Sequence, residues 1–150
     1  KKKINFFRGD LNNVALRFLN CVEKYKKKDF IRICCDSPLI NWKLADKLID
    51  LSKKKEFDII TNSLDSKYAK GMGIEIIKTS SLKKNILFFS KIEKEHVTKY
   101  FYKNKFKFKI VKYNKSKKTK FSNYCVDYPS DIRKLNKIIG GKNPINSLNF

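Results

Sequence analysis

The sequence has few of the side chains that zinc sites and covalent enzymes use. Its 150 residues include one histidine and four cysteines, namely Cys21, Cys34, Cys35 and Cys125. The cysteines show no CxxC spacing and no paired histidine, which disfavours a zinc site. No Ser/His/Asp or Cys/His arrangement is visible, which disfavours covalent catalysis.

Long apolar runs are also absent. No run approaches the roughly 20 residues that cross a bilayer, and no apolar signal-peptide core follows the opening lysines. We therefore expect a cytoplasmic protein without a membrane partner. The first residue, Lys1, is not methionine, so the chain is either processed or a piece of a longer one.

Acidic residues are scarce, with 14 of them against 36 basic residues and a net charge of +22. Such a charge suits a nucleic-acid-binding protein. However, nearly all the basic residues are lysines, and asparagine, isoleucine and phenylalanine are abundant too, as an AT-rich coding sequence produces. We interpret most of the charge as coding bias on a solvated surface, which disfavours a nucleic-acid partner.

Strands and helices alternate along the chain, which predicts an α/β fold with a mostly parallel sheet. Apolar runs predict strands at residues 4–7, 30–35, 57–61, 74–78, 106–110 and 122–126. Helical spacing and capping residues predict helices near 11–27, after Asn41, from Ser90 to Phe101 and from Pro129 to 139. Residues 140–150 form a polar tail.

Two carboxylates each follow a predicted strand, Asp36 after residues 30–35 and Asp127 after residues 122–126. In an open α/β sheet, ligands bind beyond the carboxyl ends of the strands. Mg²⁺ prefers one or two carboxylates together with phosphate oxygens and water. The pattern therefore indicates a nucleotide-using enzyme, with one alternative: Asp36 caps the turn before Pro38, and Asp127 caps the helix at Pro129.

Six segments carry a resemblance to one family. In this chain they are RGDLNNVALR (8–17), RICCDSPLI (32–40), TNSL (61–64), KGMGIEI (70–76), KEHVTKY (94–100) and VDYPSD (126–131). In the same order they resemble R-G-x-x-x-D-V-x-x-R, R-I-x-x-D-C-P-L-I, S-N-T-L, D-G-L-D-V-E-V, R-E-H-V-T-P-Y and V-D-T-P-E-D. These are patterns of the cytidylyltransferases of the spore-coat polysaccharide biosynthesis type, relatives of the acylneuraminate and ketodeoxyoctulosonate cytidylyltransferases.

The resemblance, which covers about residues 7–139, implies a Rossmann-like nucleotidyltransferase fold. This is a three-layer sandwich of the nucleotide-diphospho-sugar transferase type. Such domains open with a strand and a phosphate-binding loop, and nothing before Arg8 supplies them. We therefore expect residues 1–139 to be the C-terminal two-thirds of one cytidylyltransferase domain, which puts catalysis by this chain alone in doubt.

The family's activity is the transfer of CMP from CTP to a sugar acid, with release of pyrophosphate, for surface polysaccharide or glycan assembly. By resemblance, Asp36 and Asp127 are catalytic and hold Mg²⁺ on the CTP phosphates. Arg8, Gly9 and Asn13 match the segment that lies along the nucleotide. For those three the alternative is an ordinary strand-to-helix turn.

Four more residues are candidate substrate ligands. Arg32 lies in an apolar strand, where an unpaired charge is costly, so it pairs with a structural carboxylate or with the substrate's own. Asn62 and Glu75 fall near the active edge of the sheet and are candidates for binding sugar hydroxyls. His96 lies in a family segment, although a lone helical histidine is usually a packing residue.

Three alternative functions stay open. A glycosyltransferase of related topology would carry an Asp-x-Asp motif, which residues 36–38 do not supply. A basic nucleic-acid-binding module would carry arginines and exposed aromatics on one face. An inactive remnant would lack its phosphate loop. The resemblance also implies a homodimer, which residues 63–89 are the candidates to form.

Overall fold

A computed structural model of the chain describes residues 5–64, 67–114 and 123–139. The helices are α1 (Val14–Lys24), α2 (Trp42–Lys54), α3 (Thr79–Asn85), α4 (Lys91–Glu95), α5 (Lys99–Lys103) and α6 (Pro129–Ile139). The strands are β1 (Asp29–Arg32), β2 (Ile59–Thr61), β3 (Glu75–Lys78) and β4 (Ile110–Lys112). They form one sheet in the order β1-β3-β2-β4. The sheet is mostly but not wholly parallel, and the predicted nucleotidyltransferase type of α/β fold is confirmed.

The chain divides into two compact units. The first comprises residues 1–30, 56–59 and 77–110, and the second comprises 31–55, 60–76 and 111–150. The single domain expected over residues 1–139 stays a prediction. The predicted polar tail (140–150) lies outside the described residues. Within the described ranges, no helix is long and apolar enough to cross a membrane.

The core of the first unit forms around α1, which begins where the Asn13 side chain accepts the Leu16 N–H at 3.0 Å. The helix turns Ala15, Leu19 and Val22 inward, at the spacing of one helical face. Buried side chains from the rest of the unit complete the cluster: Ile59, Ile77, Leu82, Ile86, Phe89, Val97 and Phe101.

The second unit has a smaller cluster close to the candidate carboxylates. Helix α2 begins where the Asn41 side chain accepts the Leu44 N–H, as predicted. The cluster of buried side chains consists of Leu39, Ala69, Met72, Tyr124 and Leu135. In sequence, Leu39 follows Asp36 by three residues and Tyr124 precedes Asp127 by three, so this packing anchors both segments.

Four predicted elements differ from the structure. In place of the strand predicted at residues 106–110 there is a turn of 3-10 helix (Lys105–Lys107), and β4 begins only at Ile110. Residues 5–7 of the first predicted strand are irregular, and the side chain of Phe6 is largely exposed. The predicted strand at 122–126 is reduced, in its described part, to a parallel bridge between Asn123 and Lys70. The helix predicted from Ser90 is divided into α4 and α5. The break brings Val97 fully into the core beside Phe101.

Candidate active site

The segment after β1 holds the first candidate carboxylate. Strand β1 ends at Arg32, four residues before Asp36. The main-chain N–H of Ser37 donates to the carbonyl of Cys34 at 3.2 Å, which closes a turn. The Ser37 hydroxyl then donates to Asp36 Oδ1 at 2.9 Å. Asp36 is therefore oriented by a neighbouring hydroxyl at the end of a strand segment.

Main-chain pairing brings the second carboxylate to the first. The N–H of Val126 donates to the carbonyl of Asp36 at 2.8 Å, so the residue before Asp127 is joined directly to Asp36. Capping of the following helix falls to Asp131, whose Oδ2 accepts the N–H groups of Asp127 (3.1 Å) and Tyr128 (2.9 Å). The Tyr128 hydrogen bond is the main cause that lowers the pKa of Asp131.

A residue that the sequence analysis missed, Lys70, completes the cluster. Its Nζ lies 3.1 Å from Asp127 Oδ2. The Asp127 carboxylate, with smaller contributions from Cys125 and Asp36, raises the pKa of Lys70 above its usual value. Lys70 is the first residue of the KGMGIEI segment, where the family pattern has an acid. This difference from the family pattern is the feature of the sequence by which Lys70 could have been found.

Gly71 allows this close approach. Its φ is +88°, a left-handed conformation that L side chains rarely adopt. A Cβ atom there would lie 2.7 Å from the carbonyl carbon of Tyr124 and 2.8 Å from the nitrogen of Cys125. The segment that carries Lys70 can therefore lie against the segment that carries Asp127 only because residue 71 has no side chain.

Cys125 is enclosed by the same cluster. Burial raises the pKa of its thiol, and the nearby Asp36 carboxylate raises it further. Lys70 and a hydrogen bond with Ser37 act in the opposite direction. A raised pKa lowers the reactivity of a thiol, because the thiolate is the nucleophile.

Arg32 and Glu75 form a buried ion pair. Nη1 of Arg32 lies 2.7 Å from Oε2 of Glu75, and their side chains are 18% and 5% exposed. The sequence analysis gave two possible partners for Arg32, a structural carboxylate or the carboxylate of the substrate. The structure contains the first of these, Glu75. The substrate-binding roles of both residues stay predictions, and a ligand would have to share this pair.

Asn62 is fully buried at the end of β2. Its Nδ2 donates to the carbonyl of Met72 at 2.9 Å, and its Oδ1 accepts the N–H of Ile74 at 2.7 Å. The side chain therefore fixes the course of the main chain that leads into β3. Its sugar-binding role stays a prediction that would require this burial to change.

A cavity of about 420 Å³ opens beside Lys70. The described residues that line it come from the two segments that flank positions 65 and 66: Ser63, Leu64, Tyr68, Ala69, Lys70, Gly71 and Gly73. Its volume lies within the range of small-molecule sites. Lys70 is the charged residue of this lining.

The other candidate residues belong to the first unit. The Arg8 guanidinium lies 5.6 Å from the centre of the Phe6 ring. A Cβ atom on Gly9 would meet Arg17 Cγ at 2.9 Å. Asn13 caps α1, and the exposed His96 follows the last residue of α4. The binding roles of these residues stay predictions.

The carboxylate oxygens that the second unit offers as ligands fit Mg²⁺. No three His, Cys, Asp or Glu side chains gather as metal ligands within residues 5–64, 67–114 and 123–139. Mg²⁺ does not need such a group, because one or two carboxylates, substrate phosphates and water suffice. Asp36 and Asp127 supply two carboxylates, and the ammonium of Lys70 already lies where a cation would bind Asp127.

Comparisons with known proteins bear on the fold. No family model matches the chain. An uncharacterised protein of Methanocaldococcus jannaschii is 32% identical over 110 residues, which are 71% of this chain and 43% of that protein. A cytidylyltransferase from Leptospira borgpetersenii serovar Hardjo-bovis superposes with a TM-score of 0.85 and 28% identity. The match covers 91% of this chain and 59% of that one.

The chain therefore has the fold of a nucleotidyltransferase. More narrowly, the resemblance to the cytidylyltransferases that the six segments indicate is confirmed. The chain spans about half the length of the proteins it matches, 43% in one case and 59% in the other.

Proposed function

We propose that this chain is part of a cytidylyltransferase that moves CMP from CTP to a sugar acid and releases pyrophosphate. The observation that carries the proposal is the main-chain hydrogen bond between Val126 and Asp36, which joins the two carboxylate segments. The likeness to a solved cytidylyltransferase supports it. The product would enter surface polysaccharide or glycan assembly.

In the proposed reaction, a hydroxyl oxygen of the sugar attacks the α-phosphorus of CTP. The new O–P bond forms as the bond to pyrophosphate breaks in line with it, and the proton of the hydroxyl is released to water. Asp36 and Asp127 would hold Mg²⁺. When bound, the metal would offset the charge that develops on the phosphate oxygens.

The residues of the second unit have separate parts in this scheme. Ser37 orients the Asp36 carboxylate through its hydroxyl. Asp131 fixes the main chain at Asp127 and leaves the Asp127 carboxylate free to bind a cation. The cavity beside Lys70 would receive the sugar acid. The roles of Arg8, Gly9 and Asn13 toward the nucleotide, and of His96 toward the substrate, are carried forward as predictions, as is a homodimer.

Pyrophosphate release tests the proposal directly. The full-length protein would be incubated with CTP, Mg²⁺ and a panel of sugar acids that includes N-acetylneuraminate and ketodeoxyoctulosonate. In Asp36→Asn and Asp127→Asn, we expect turnover to fall by about a thousandfold or more, because the charge that holds the metal is removed. The melting temperature should change little.

Asp46→Asn is the matched control, because Asp46 is an exposed aspartate on α2 in the same unit. It should retain full turnover. Unchanged pyrophosphate release in either site variant would remove the metal assignment. A full-length wild-type protein that releases no pyrophosphate with any acceptor would favour the inactive remnant.

A further inference from the structure

Lys70 belongs both to the ion pair with Asp127 and to the lining of the cavity. Its ammonium lies 3.1 Å from Asp127 Oδ2, and the residue also lines the 420 Å³ cavity. The other described lining residues carry no charge, and Gly71 and Gly73 contribute no side chain. Among the described lining residues, a ligand in this cavity therefore meets one positive charge, that of Lys70, which is paired with the candidate metal ligand Asp127.

We propose that Lys70 is an exchangeable counter-ion: it neutralises Asp127 in the resting protein and binds an anionic group of the ligand once a divalent cation takes Asp127. This inference rests on the proposed function and adds a specificity residue to it. The anionic group is either the carboxylate of the acceptor or a phosphate of the nucleotide.

Charge repulsion makes the exchange necessary. An ammonium and a divalent cation cannot both occupy the place beside Asp127 Oδ2, because like charges a few ångströms apart repel each other. The Lys70 side chain is 63% exposed, so it can turn without first being freed from a packed core. A lysine suits this movement, since its charge is compact and its stem is flexible.

The main chain of Lys70 is fixed while its side chain is exposed. The N–H of Tyr124 donates to the carbonyl of Lys70 at 2.7 Å, and a parallel bridge joins Lys70 to Asn123. The Lys70 stem therefore pivots from a fixed point beside Asp127. From this point the ammonium now contacts Asp127, and the proposed movement would carry it toward the cavity that Lys70 also lines.

The same unit offers a matched control. Lys53 and Asp50 form an ion pair of the same length, 3.1 Å, with side chains 68% and 65% exposed. This pair lies one turn apart on α2, and neither residue lines the 420 Å³ cavity. The Lys70–Asp127 pair joins residues 57 positions apart, with side chains 63% and 43% exposed.

The first test is calorimetric titration of the full-length protein with Mn²⁺ and no nucleotide. We expect Lys70→Met to bind Mn²⁺ about fivefold more tightly than the wild type, because the competing charge is removed. Lys53→Met should match the wild type. Equal affinity in Lys70→Met and the wild type would overturn the proposal, and so would the absence of Mn²⁺ binding in all three proteins.

The second test identifies the anion by steady-state kinetics on the same proteins. If the acceptor carboxylate is the ligand, Lys70→Met should raise the KM of the acceptor about tenfold and leave that of CTP unchanged. A rise in the KM of CTP alone would identify a phosphate. No change in either would overturn the proposed ligand role. A wild type without turnover would reject the proposed function, while the Mn²⁺ titration would still decide whether Lys70 competes at Asp127.

Discussion

Two carboxylates of the first unit and one carboxylate of the second differ in the kind of donor that holds them. In the first unit, the Asp58 carboxylate accepts the main-chain N–H of Lys109 at 2.8 Å and also bonds the Ser81 hydroxyl. Glu93 likewise accepts the main-chain N–H of Ser90 at 2.8 Å. In the second unit, Asp127 pairs instead with an exposed lysine ammonium. Main-chain donors cannot leave, whereas a lysine can be replaced by another cation.

From this difference between the carboxylates, we expect the residues that determine stability to differ from those that determine ligand binding. The first unit has a core of stacked and edge-to-face aromatic rings, and the carboxylates of Asp58 and Glu93 are committed to its own main chain. The second unit places its carboxylates beside a cavity and balances one of them with an exposed cation. We therefore expect changes in the first unit to reduce stability most, and changes around Asp127 to reduce ligand binding most.

The largest effect on stability is expected from Phe101→Ala. The ring is fully buried, and its centre lies 4.7 Å from that of Phe108 and 5.9 Å from that of Phe89. Removing it should lower the free energy of unfolding by about 3–5 kcal/mol, measured by urea titration. Phe106→Ala is the control in the same unit: its ring is 94% exposed, and its loss should cost less than about 0.5 kcal/mol. Equal losses would contradict the placement of the core.

A smaller loss is expected from breaking the Arg32–Glu75 pair in the second unit. Arg32→Met leaves Glu75 buried without this partner, and should cost about 3 kcal/mol. Glu75→Leu should cost less, because Arg32 keeps some contact with water. The double variant should lose less than the sum of the single ones in urea unfolding. Additive losses would mean that the two side chains do not interact.

Gly71→Ala should cost about 2 kcal/mol, because residue 71 has a positive φ and the added Cβ meets the main chain of Tyr124. The displaced 124–127 segment should also weaken Mn²⁺ binding, measured by calorimetry. Gly73→Ala is the control, since its Cβ meets the movable hydroxyl of Ser63 rather than main chain. A Gly71→Ala protein with normal stability and Mn²⁺ affinity would contradict the close approach of the two segments.

The smallest effect concerns the capping box at α4. Hydrogen bonds from Ser90 lower the pKa of Glu93 below its ordinary value of 4.5. A lowered folded-state pKa stabilises the protein above the unfolded-state pKa, and this contribution is lost as the pH falls through the folded-state value. The stability gap between the wild type and Glu93→Gln should therefore be constant from pH 7 to about pH 5 and shrink below about pH 4.5. Urea titrations across this range measure it, and a gap that grows in acid would reverse the assignment.

Local signals predicted much of this fold. Asn41, the Ser90–Glu93 box and Pro129 each mark a helix start from a few neighbouring residues, and all three are confirmed. The break between α4 and α5 was missed, because Val97 and Phe101 are four residues apart, a spacing that one continuous helix would also give. Residues 5–7 were wrongly predicted as a strand, since an apolar run does not reveal whether a neighbouring strand exists.

The candidate site was predictable in part. Asp36 and Asp127 were named from their places after apolar runs, and the structure joins their segments. Lys70 was missed because its partner lies 57 residues away, and no local pattern pairs them. The positive φ of Gly71 depends likewise on the approach of Tyr124 from a distant part of the chain. Long-range contacts of this kind decide which side chains meet.

The main-chain bonds that join Lys70, Asp36 and the 123–127 segment have a consequence for how this sequence tolerates change. Carbonyl and N–H groups are present in almost every residue type, so these bonds survive when coding bias replaces one side chain by another. Cys35 and Tyr128, whose side chains are exposed, can therefore change without moving the two carboxylates apart. Such a site can be inherited largely through its backbone, and selection then needs to preserve only the few side chains that touch the ligand.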